Sequence, residues 1–326
     1  MNPPPIFSPG RLGHVNVTVE RLDAAIAFHR DVCGLNLEFT ESGIKGAFMG
    51  TGLTPHDIGM VEAGPDARRG RDGRVQVRAG AVSAVGLNHI AWEMDSEEAL
   101  VASYRRARAA GMAAAMHGFD HRIAKSLYLK DPDGNTNEFY ADSLRDWRAE
   151  ASGDVHLITS AWDPEAAAPA AEPRWSPVHD RRPVAHALLQ PGRLSHVVLA
   201  TTALAPMCAF YREVAGLEPV HLGESGALFR ARRHGTPYQL AIVQAPAKGL
   251  HHWAFELAPS QPLAAAQERL RAAGTPAQRQ DGPIRSNLFL TDPDGFRIAF
   301  HEAGAGTPAA FEAAFALPGA ERMQAL

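Results

Sequence analysis

The sequence has little of what marks an extracellular, membrane or nucleic-acid-binding protein. Among its 326 residues are two cysteines, Cys33 and Cys208, and the formal net charge is −4. The two cysteines do not have the spacing of metal ligands, so we expect both to be small, buried, apolar side chains. We expect no disulfide within a domain. A charge this close to neutral gives no reason to expect nucleic acid or an anionic membrane as a partner.

Long hydrophobic runs are also missing. No run is long enough to span a bilayer, and the N-terminal stretch MNPPPIFSPG lacks the apolar core of a signal peptide. We therefore expect a cytoplasmic protein without a membrane partner. The hydrophobic content of 45% is ordinary for a globular protein, and the length suits one large or two medium domains.

The sequence does contain an internal repeat. RLGHVNVTV at 11–19 matches RLSHVVLAT at 193–201, and DPDGNTNEF at 131–139 matches DPDGFRIAF at 292–300. A repeat of this length indicates two copies of one structural unit, so positions can be compared between the copies.

Each copy divides again into two modules. In the first, an alternating strand at 13–19 precedes an amphipathic helix that ends at Gly34, and three strands follow at 35–39, 46–50 and 56–63. Similar patterns begin at GLNHIAWEM (86–94), RLSHVVLA and GLHHWAFEL. The sequence thus predicts an α+β fold of four βαβββ modules paired into two domains.

The predicted boundaries follow from these modules. We predict a first domain of two modules at 1–145, a linker at 146–190, a second domain of two modules at 191–304 and a C-terminal tail at 305–326. The linker includes an Ala- and Pro-rich stretch at 161–183, expected to run over the surface. Residues 66–84 are an insertion in the first copy alone. Its basic loop fits either the rim of a pocket or a solvated hairpin, and we predict the hairpin.

Three residues of the first copy suggest a metal site. His14 and His89 each lie on the first strand of a module, and Glu138 lies on the last strand of the second module. Two imidazoles and one carboxylate on one face of a metal leave other coordination positions open. This arrangement suits divalent iron that must bind both substrate and dioxygen.

At these residues the chain resembles the type I extradiol ring-cleavage dioxygenases, the catechol 2,3-dioxygenase-like members of the vicinal oxygen chelate (glyoxalase/bleomycin resistance) superfamily. The stretch DHRIAKSLYLKDPDGNTNEFY (120–140) is similar to that family's active-site signature. PHDIGMVEAGPDAR (55–68) is similar to the segment that carries another active-site histidine, and GHVNV and LNHIAWE match the two metal-histidine strands.

The resemblance implies a role for each residue. His14, His89 and Glu138 would hold Fe(II), with Mn(II) also open. His56 would act as a base or stabilise a substrate oxygen, since imidazole titrates near neutral pH. His121 would bond a substrate oxygen and donate a proton, and Tyr128 would offer its phenol hydrogen bond.

The second copy tests these assignments. His56 aligns with Tyr238, His121 with Gly282, Tyr128 with Phe289 and Glu138 with Ala299. A purely structural role would predict retention in both copies, so these replacements favour chemistry in the first half alone. His196 and His252 persist without a carboxylate, and we interpret them as relics.

The chain departs from the family pattern in two ways. In many two-domain members the metal lies in the C-terminal half, whereas here it is expected in the N-terminal half. Arg122 stands where the family signature often has Gly, which affects the loop that carries His121.

The function that the resemblance implies is extradiol (meta) cleavage of a catechol-type aromatic with dioxygen, by a homo-oligomer. Two alternatives stay open. One is an isomerase, epimerase or glutathione-dependent lyase of the same superfamily, which would not need His56, His121 and Tyr128 in this order. The other is a metal-free protein that binds small molecules.

Overall fold

The computed structural model describes residues 4–69, 73, 75–156, 160–166, 168–170, 179–233, 235–304 and 306–326. It contains four βαβββ modules in two pairs, so the predicted α+β architecture is confirmed. Residues 157–159, 167 and 171–178 of the predicted linker and 70–72 and 74 of the predicted hairpin lie outside the described residues.

The first half holds two modules separated by a short hairpin. The first module is β1 (Arg11–Val19), α1 (Leu22–Asp31), β2 (Asn36–Glu41), β3 (Gly46–Gly50) and β4 (Ile58–Glu62). The hairpin is β5 (Arg68–Arg69) and β6 (Val75–Val77). The second module is β7 (Gly86–Glu93), α2 (Glu97–Ala109), β8 (His117–Asp120), β9 (Ala124–Lys130) and β10 (Thr136–Asp142). Single 3₁₀ turns occur at Ser42–Ile44 and Ala113–Ala115.

The sequence at the ends of α2 shows why this helix forms where it does. The side chain of Ser96 accepts a hydrogen bond from the backbone N–H of Ala99 at 3.1 Å, which satisfies one of the free donors at the helix start. Glu97 lies in the first turn and Arg108 in the last, so both charges oppose the helix dipole.

One ten-stranded sheet contains both modules of the first half and two short strands from the segment after them. That segment forms α3 (Trp147–Glu150), β11 (Gly153–Asp154) and β12 (Ser160–Ala161). The strand order is β11-β2-β3-β4-β1-β7-β10-β9-β8-β12. The first strands of the two modules, β1 and β7, pair antiparallel at its centre.

The strands β11 and β12 follow each other in sequence but lie at opposite edges of this sheet. The chain therefore pairs with the β2 edge through β11 and with the β8 edge through β12. Just before β11, Trp147 and Ala151 are buried in a cluster with Phe39 and Tyr140. Residues in the predicted linker thus add strands to the first sheet, and the domain boundaries stay a prediction.

The second half repeats the pattern in an eight-stranded sheet of order β14-β15-β16-β13-β17-β20-β19-β18. Its strands and helices are β13 (Pro191–Thr201), α4 (Leu204–Ala209), β14 (Glu218–Gly223), β15 (Gly226–Arg230), β16 (Leu240–Gln244), β17 (Gly249–Leu257), α5 (Leu263–Ala272), β18 (Gln278–Asp281), β19 (Ser286–Thr291) and β20 (Arg297–His301). The helix α4 continues as a π-helical turn at Phe210–Val214.

Two helices of the predicted tail pack on the second sheet. They are α6 (Pro308–Ala316) and α7 (Gly319–Ala325), and they bury Phe311, Phe315 and Leu326 against a cluster that includes Val198 and Tyr238. Val198 and Tyr238 are the counterparts of Asn16 and His56 in the first copy. The tail therefore fills the face of the second sheet that corresponds to the candidate site.

The two halves share one hydrophobic core, since buried side chains of both sheets belong to a single cluster. Polar contacts also join them. The Tyr211 hydroxyl donates to Asp131 at 3.0 Å, and Arg233 forms ion pairs with Glu93 and Asp95. Both cysteines are free thiols, and Cys33 is buried as predicted, whereas Cys208 is only half-buried. Among the described residues, none of the helices combines the length and apolarity that a bilayer crossing requires.

Candidate functional site

The candidate site begins with a row of side chains across four neighbouring strands of the first sheet. His14 on β1 faces Ala91 on β7, Ala91 faces Glu138 on β10, and Glu138 faces Tyr128 on β9. His89 lies two residues from Ala91 on the same strand, so its side chain points to the same face. The sheet thereby gathers residues that are up to 124 positions apart in the sequence.

The three predicted metal ligands meet on this face. The Nε2 atom of His14 lies 3.0 Å from Oε2 of Glu138 and 3.2 Å from Nε2 of His89. The His89 Nε2 atom lies 3.1 Å from the same carboxylate oxygen. All three residues are buried, with 9% exposure or less. Among the described residues, no other His, Cys, Asp or Glu group places three such atoms within 4.8 Å of one another.

These separations fit a shared divalent ion. Two ligand atoms about 2.1 Å from one ion lie about 3.0–3.4 Å apart when the angle between them is about 90–110°. The Nδ1 atom of His89 bonds Oδ1 of Asn88 at 2.8 Å, an acceptor, so the ring proton belongs on Nδ1 and Nε2 is free to ligate. Two imidazoles and one carboxylate are also the donor set of open, facial iron sites.

The electrostatics of these three residues agree with this donor set. Burial by itself would raise the pKa of Glu138, but its contacts with His14 and His89 outweigh burial and hold that pKa well below its usual value. Burial lowers the pKa of His14. The carboxylate is therefore charged and the His14 imidazole neutral at pH 7, which are the states that bind metals.

His56 lies in the loop before β4, over the ring of His14. The two ring centroids are 4.0 Å apart. Asp57 fixes the loop, because its carboxylate accepts hydrogen bonds from the backbone and hydroxyl of Thr51 at 2.7 and 2.9 Å. Burial, and then the neighbouring His14, lower the pKa of His56 well below its usual value. Its Nδ1 atom is buried without a hydrogen-bond partner among the described residues.

His121 and Tyr128 form a pair on the other side of Glu138. The Nε2 atom of His121 lies 2.9 Å from the Tyr128 hydroxyl and 3.9 Å from Oε1 of Glu138. Burial lowers the pKa of His121, and burial together with the Glu138 charge raises the pKa of Tyr128 well above 10.0. His117, the competitor for this position in the sequence, lies opposite Tyr128 on β8 and also faces the cavity.

All six predicted site residues line one cavity of about 700 Å³. Their proximity is a finding, whereas their roles remain predictions. The insertion contributes too, because residues 76–78 and 81–84 line the same cavity. The prediction of a solvated hairpin was therefore wrong in part: the hairpin exists, but the insertion also walls the cavity.

Sequence reasoning missed two polar residues of this face. Asn16 is 5% exposed and its Oδ1 has no hydrogen-bond partner among the described residues. Tyr140 packs its ring 5.4 Å from that of His14. The repeat contains a signal for both, since Asn16 aligns with Val198 and Tyr140 with His301. These are replacements of the same kind as those at His56, His121, Tyr128 and Glu138.

The corresponding face of the second sheet has a different chemistry. The Ser195 hydroxyl lies 2.7 Å from Nδ1 of His196 and 2.8 Å from Nε2 of His301. The Tyr238 hydroxyl donates to the backbone oxygen of Leu326, in the tail. Ala299 provides no carboxylate, and the Nε2 atoms of His196 and His252 are buried without a hydrogen-bond partner among the described residues.

Comparison with known proteins agrees with this architecture. A catechol-2,3-dioxygenase of Bacillus subtilis (strain 168) is 26% identical over 259 residues, which cover 77% of this chain and 78% of the relative. The homoprotocatechuate 2,3-dioxygenase of Brevibacterium fuscum, in complex with 3,4-dihydroxyphenylacetate, superposes with a TM-score of 0.61 at 16% identity and covers 94% of this chain and 85% of that chain. An Mn(II)-bound glyoxalase from Novosphingobium aromaticivorans gives 0.58 at 18% identity, over 92% and 84% of the two chains.

A family model matches both copies of the repeat. The model describes the Glyoxalase/Bleomycin resistance protein/Dioxygenase superfamily, and it matches residues 11–139 and 193–300. These two stretches cover more than two thirds of the sequence and contain all four βαβββ modules. The chain belongs to the glyoxalase/bleomycin resistance protein/dioxygenase superfamily.

Proposed function

We propose that the protein catalyses extradiol cleavage of a catechol-type substrate with dioxygen, at Fe(II) or Mn(II) held by His14, His89 and Glu138. One observation carries this proposal: the three ligand atoms lie within 3.2 Å of one another in the cavity that His56, His121 and Tyr128 also line. The catechol-2,3-dioxygenase relative supports the same activity.

The ion would supply a centre at which both catechol oxygens and dioxygen are brought together. His14, His89 and Glu138 approach it from the sheet, which leaves the cavity side for substrate. With neutral imidazoles and one carboxylate, a divalent ion keeps a formal charge of about +1. That charge favours a catechol that has lost one hydroxyl proton.

His56 is suited to accept that proton or to stabilise the substrate oxygen that loses it. Its imidazole is neutral because of burial and of His14, and its Nδ1 atom has no partner among the described residues. The His56 ring lies against that of His14, a proposed metal ligand. From there a neutral imidazole can accept a proton from a substrate hydroxyl and return it later.

His121 and Tyr128 are suited to hold the substrate on the opposite side. Tyr128 keeps its proton at neutral pH, because burial raises its pKa. Its hydroxyl and His121 Nε2 already share a 2.9 Å contact. When His121 Nε2 donates to the Tyr128 oxygen, the Tyr128 hydroxyl is left to donate to a substrate oxygen, which would fix the ring relative to the metal ligands.

The proposal predicts a direct chemical test. The protein is loaded with Fe(II) or Mn(II) without air, a panel of catechols is added, and air is then admitted. Yellow ring-fission product with matching oxygen uptake supports extradiol cleavage. Stoichiometric metal without product across the panel would instead favour an isomerase or lyase, and failure to bind metal would favour a binding protein.

Two further properties belong to the same proposal. We expect the enzyme to act in the cytoplasm. We also expect a homo-oligomer, because closed symmetric assemblies are common among soluble enzymes. Sedimentation of the metal-loaded protein tests the second expectation.

A further inference from the structure

The insertion at 66–84 gives the first copy a wall that the second copy does not have. In the second half, β16 ends at Gln244 and β17 begins at Gly249, so four residues make the connection. In the first half, the equivalent connection runs from β4 to β7 and carries the β5–β6 hairpin. Cavity-lining residues 76–78 and 81–84 all belong to this added segment.

Hydrogen bonds close the added segment on itself and join it to the turn before β3. The backbone N–H of Gly64 donates to the carbonyl of Val82 at 2.9 Å, and that of Gly80 donates to the carbonyl of Pro65 at 2.9 Å. The Arg68 guanidinium donates to the carbonyl of Ile44 at 2.7 Å. The wall is therefore a fixed part of the cavity.

Two valines of this segment, Val77 and Val82, complete an apolar surface that the first module begins. Five residues, here called the apolar wall, pack together and all line the cavity: Ile44, Phe48, Val61, Val77 and Val82. Three of them are almost fully buried, with exposures of 3% to 6%. The ring of Phe39 stacks on Phe48 at 4.6 Å and extends the same surface.

The apolar wall is connected to the candidate metal centre by ring contacts. The ring centroid of Phe48 lies 5.0 Å from that of His56, and the His56 centroid lies 4.0 Å from that of His14. A catechol held at the metal ligands therefore has this surface next to one side of its ring.

The charges near the wall argue against an anionic substituent. Glu41 is 1% exposed, lines the cavity and lies 3.7 Å from His156. The basic cavity-lining residues among those described are Arg78 and Lys130, and both are exposed. A carboxylate at the wall would lose its hydration next to Glu41 without gaining a buried cation.

We propose that the apolar wall is a subsite for a bulky, uncharged hydrocarbon group, aryl or branched alkyl, carried on the catechol ring. This inference rests on the proposed function for the position of the diol. The wall itself is a binding surface for hydrocarbon whether or not the ring is cleaved.

Binding without oxygen tests the subsite apart from catalysis. The Fe(II)-loaded protein is titrated anaerobically with catechol, 3-phenylcatechol and 3,4-dihydroxyphenylacetate. Because a phenyl ring buries much more apolar surface than a hydrogen atom, we expect 3-phenylcatechol to bind roughly tenfold or more tightly than catechol. Equal affinities for these two ligands, or tightest binding of the carboxylate, would overturn the subsite.

A pair of variants in the insertion locates the effect. Val82→Ser removes two methyl groups from the wall and should weaken 3-phenylcatechol roughly fivefold, with catechol changed less than about twofold. Val75→Ser is the control, because Val75 lies on β6 with 44% exposure and does not line the cavity. Equal losses in the two variants would contradict the assignment, and melting temperatures check that both fold.

A last measurement separates this inference from the proposed function. Metal-free protein is titrated with biphenyl, which has no oxygens to chelate a metal. Biphenyl binding that Val82→Ser weakens, together with failure to cleave any catechol, would retain the subsite and reject the dioxygenase. Cleavage of catechol without any preference for apolar substituents would reject the subsite alone.

Discussion

Tyr128 and Glu138 face each other across strands β9 and β10, and Phe289 and Ala299 face each other at the same register in the second sheet. The two pairs occupy equivalent places in equivalent sheets. The backbone that aligns them is thus retained in both copies, while the hydroxyl and the carboxylate occur in the first copy alone. This difference separates what the fold needs from what the candidate site needs.

Tyr128→Phe should therefore impair activity without unfolding the protein. Phe289 shows that a phenyl ring is compatible with this strand position, so we expect a stability change of less than about 1 kcal/mol. Loss of the hydroxyl that contacts His121 should lower kcat about 10- to 100-fold, with metal content unchanged. Tyr104→Phe, on α2, is the control. Retention of full kcat by Tyr128→Phe would remove Tyr128 from the mechanism.

Glu138→Gln should remove the metal. The variant keeps the shape of the side chain but takes away the charge that His14 and His89 contact at 3.0 and 3.1 Å. Since loss of even an outer partner of a ligand costs about 10–100-fold in affinity, we expect at least that loss here. Elemental analysis and a metal titration measure it.

Glu268→Gln makes the same chemical change on an exposed face of α5, where the side chain is 61% exposed. It should leave metal binding intact. Normal metal content in the Glu138 variant would show that His14, His89 and Glu138 are not the binding site.

Much of the candidate site was predictable from the sequence, because His14, His89, Tyr128 and Glu138 lie on strands of a repeated module. Comparison of the copies found His14, His89 and Glu138, and strand alternation placed them on one face. The same comparison contains Asn16 against Val198, but an Asn on a strand does not by itself suggest a ligand or a base.

The elements around the cavity were harder to predict. Strands β11 and β12 have two residues each, too few for any periodic pattern. Their pairing with β2 and β8 depends on how far the sheet curves. Likewise, Val77 and Val82 in the insertion sit among Arg and Gly residues, and only the folded structure shows that they join Ile44 and Val61.

The backbone at Arg122 shows why the family signature often has Gly at this position. It has a φ of 64°, in the left-handed region that Gly adopts without steric cost. Its guanidinium lies 3.5 Å from the carbonyl of His156 and 3.4 Å from Glu150. Both residues belong to the segment that contains α3 and β11. An exposed pair of this kind stabilises a protein little.

Two substitutions of Arg122 distinguish the effect of its positive φ from the effect of its guanidinium contacts. Arg122→Gly and Arg122→Ala both lose the guanidinium, but only Gly relieves the backbone. We expect the Gly variant to be about 0.5–1 kcal/mol more stable than the Ala variant in chemical denaturation. At Arg105, exposed within α2, the same two changes should give the opposite order by about 1 kcal/mol. The same order at both sites would contradict a strained Arg122.

The equivalence of the two halves also predicts an asymmetry in stability. Tyr211 aligns with His29, and Asp131 aligns with Asp292. The Tyr211 hydroxyl donates to Asp131 at 3.0 Å, whereas Nε2 of His29 and Oδ2 of Asp292 are buried without a hydrogen-bond partner among the described residues. Tyr211→Phe should therefore cost about 1–2 kcal/mol of unfolding free energy. His29→Phe, the matched change, should cost less than about 1 kcal/mol at pH 7.

The pH dependence of the same two variants provides a sharper test. Burial lowers the pKa of His29 to about 4, from its usual 6.5. Between these values the unfolded chain binds a proton that the folded protein does not, so wild-type stability falls as the pH falls from about 6.5 to about 4. His29→Phe lacks this penalty and should gain up to about 2–3 kcal/mol relative to wild type over that range. Tyr211→Phe keeps the His29 penalty, and its stability relative to wild type changes with pH only through Asp131, whose pKa the Tyr211 hydrogen bond lowers. Urea unfolding at pH 7 and pH 5 measures both differences, and parallel pH profiles for His29→Phe and wild type would show that His29 is not a buried neutral imidazole.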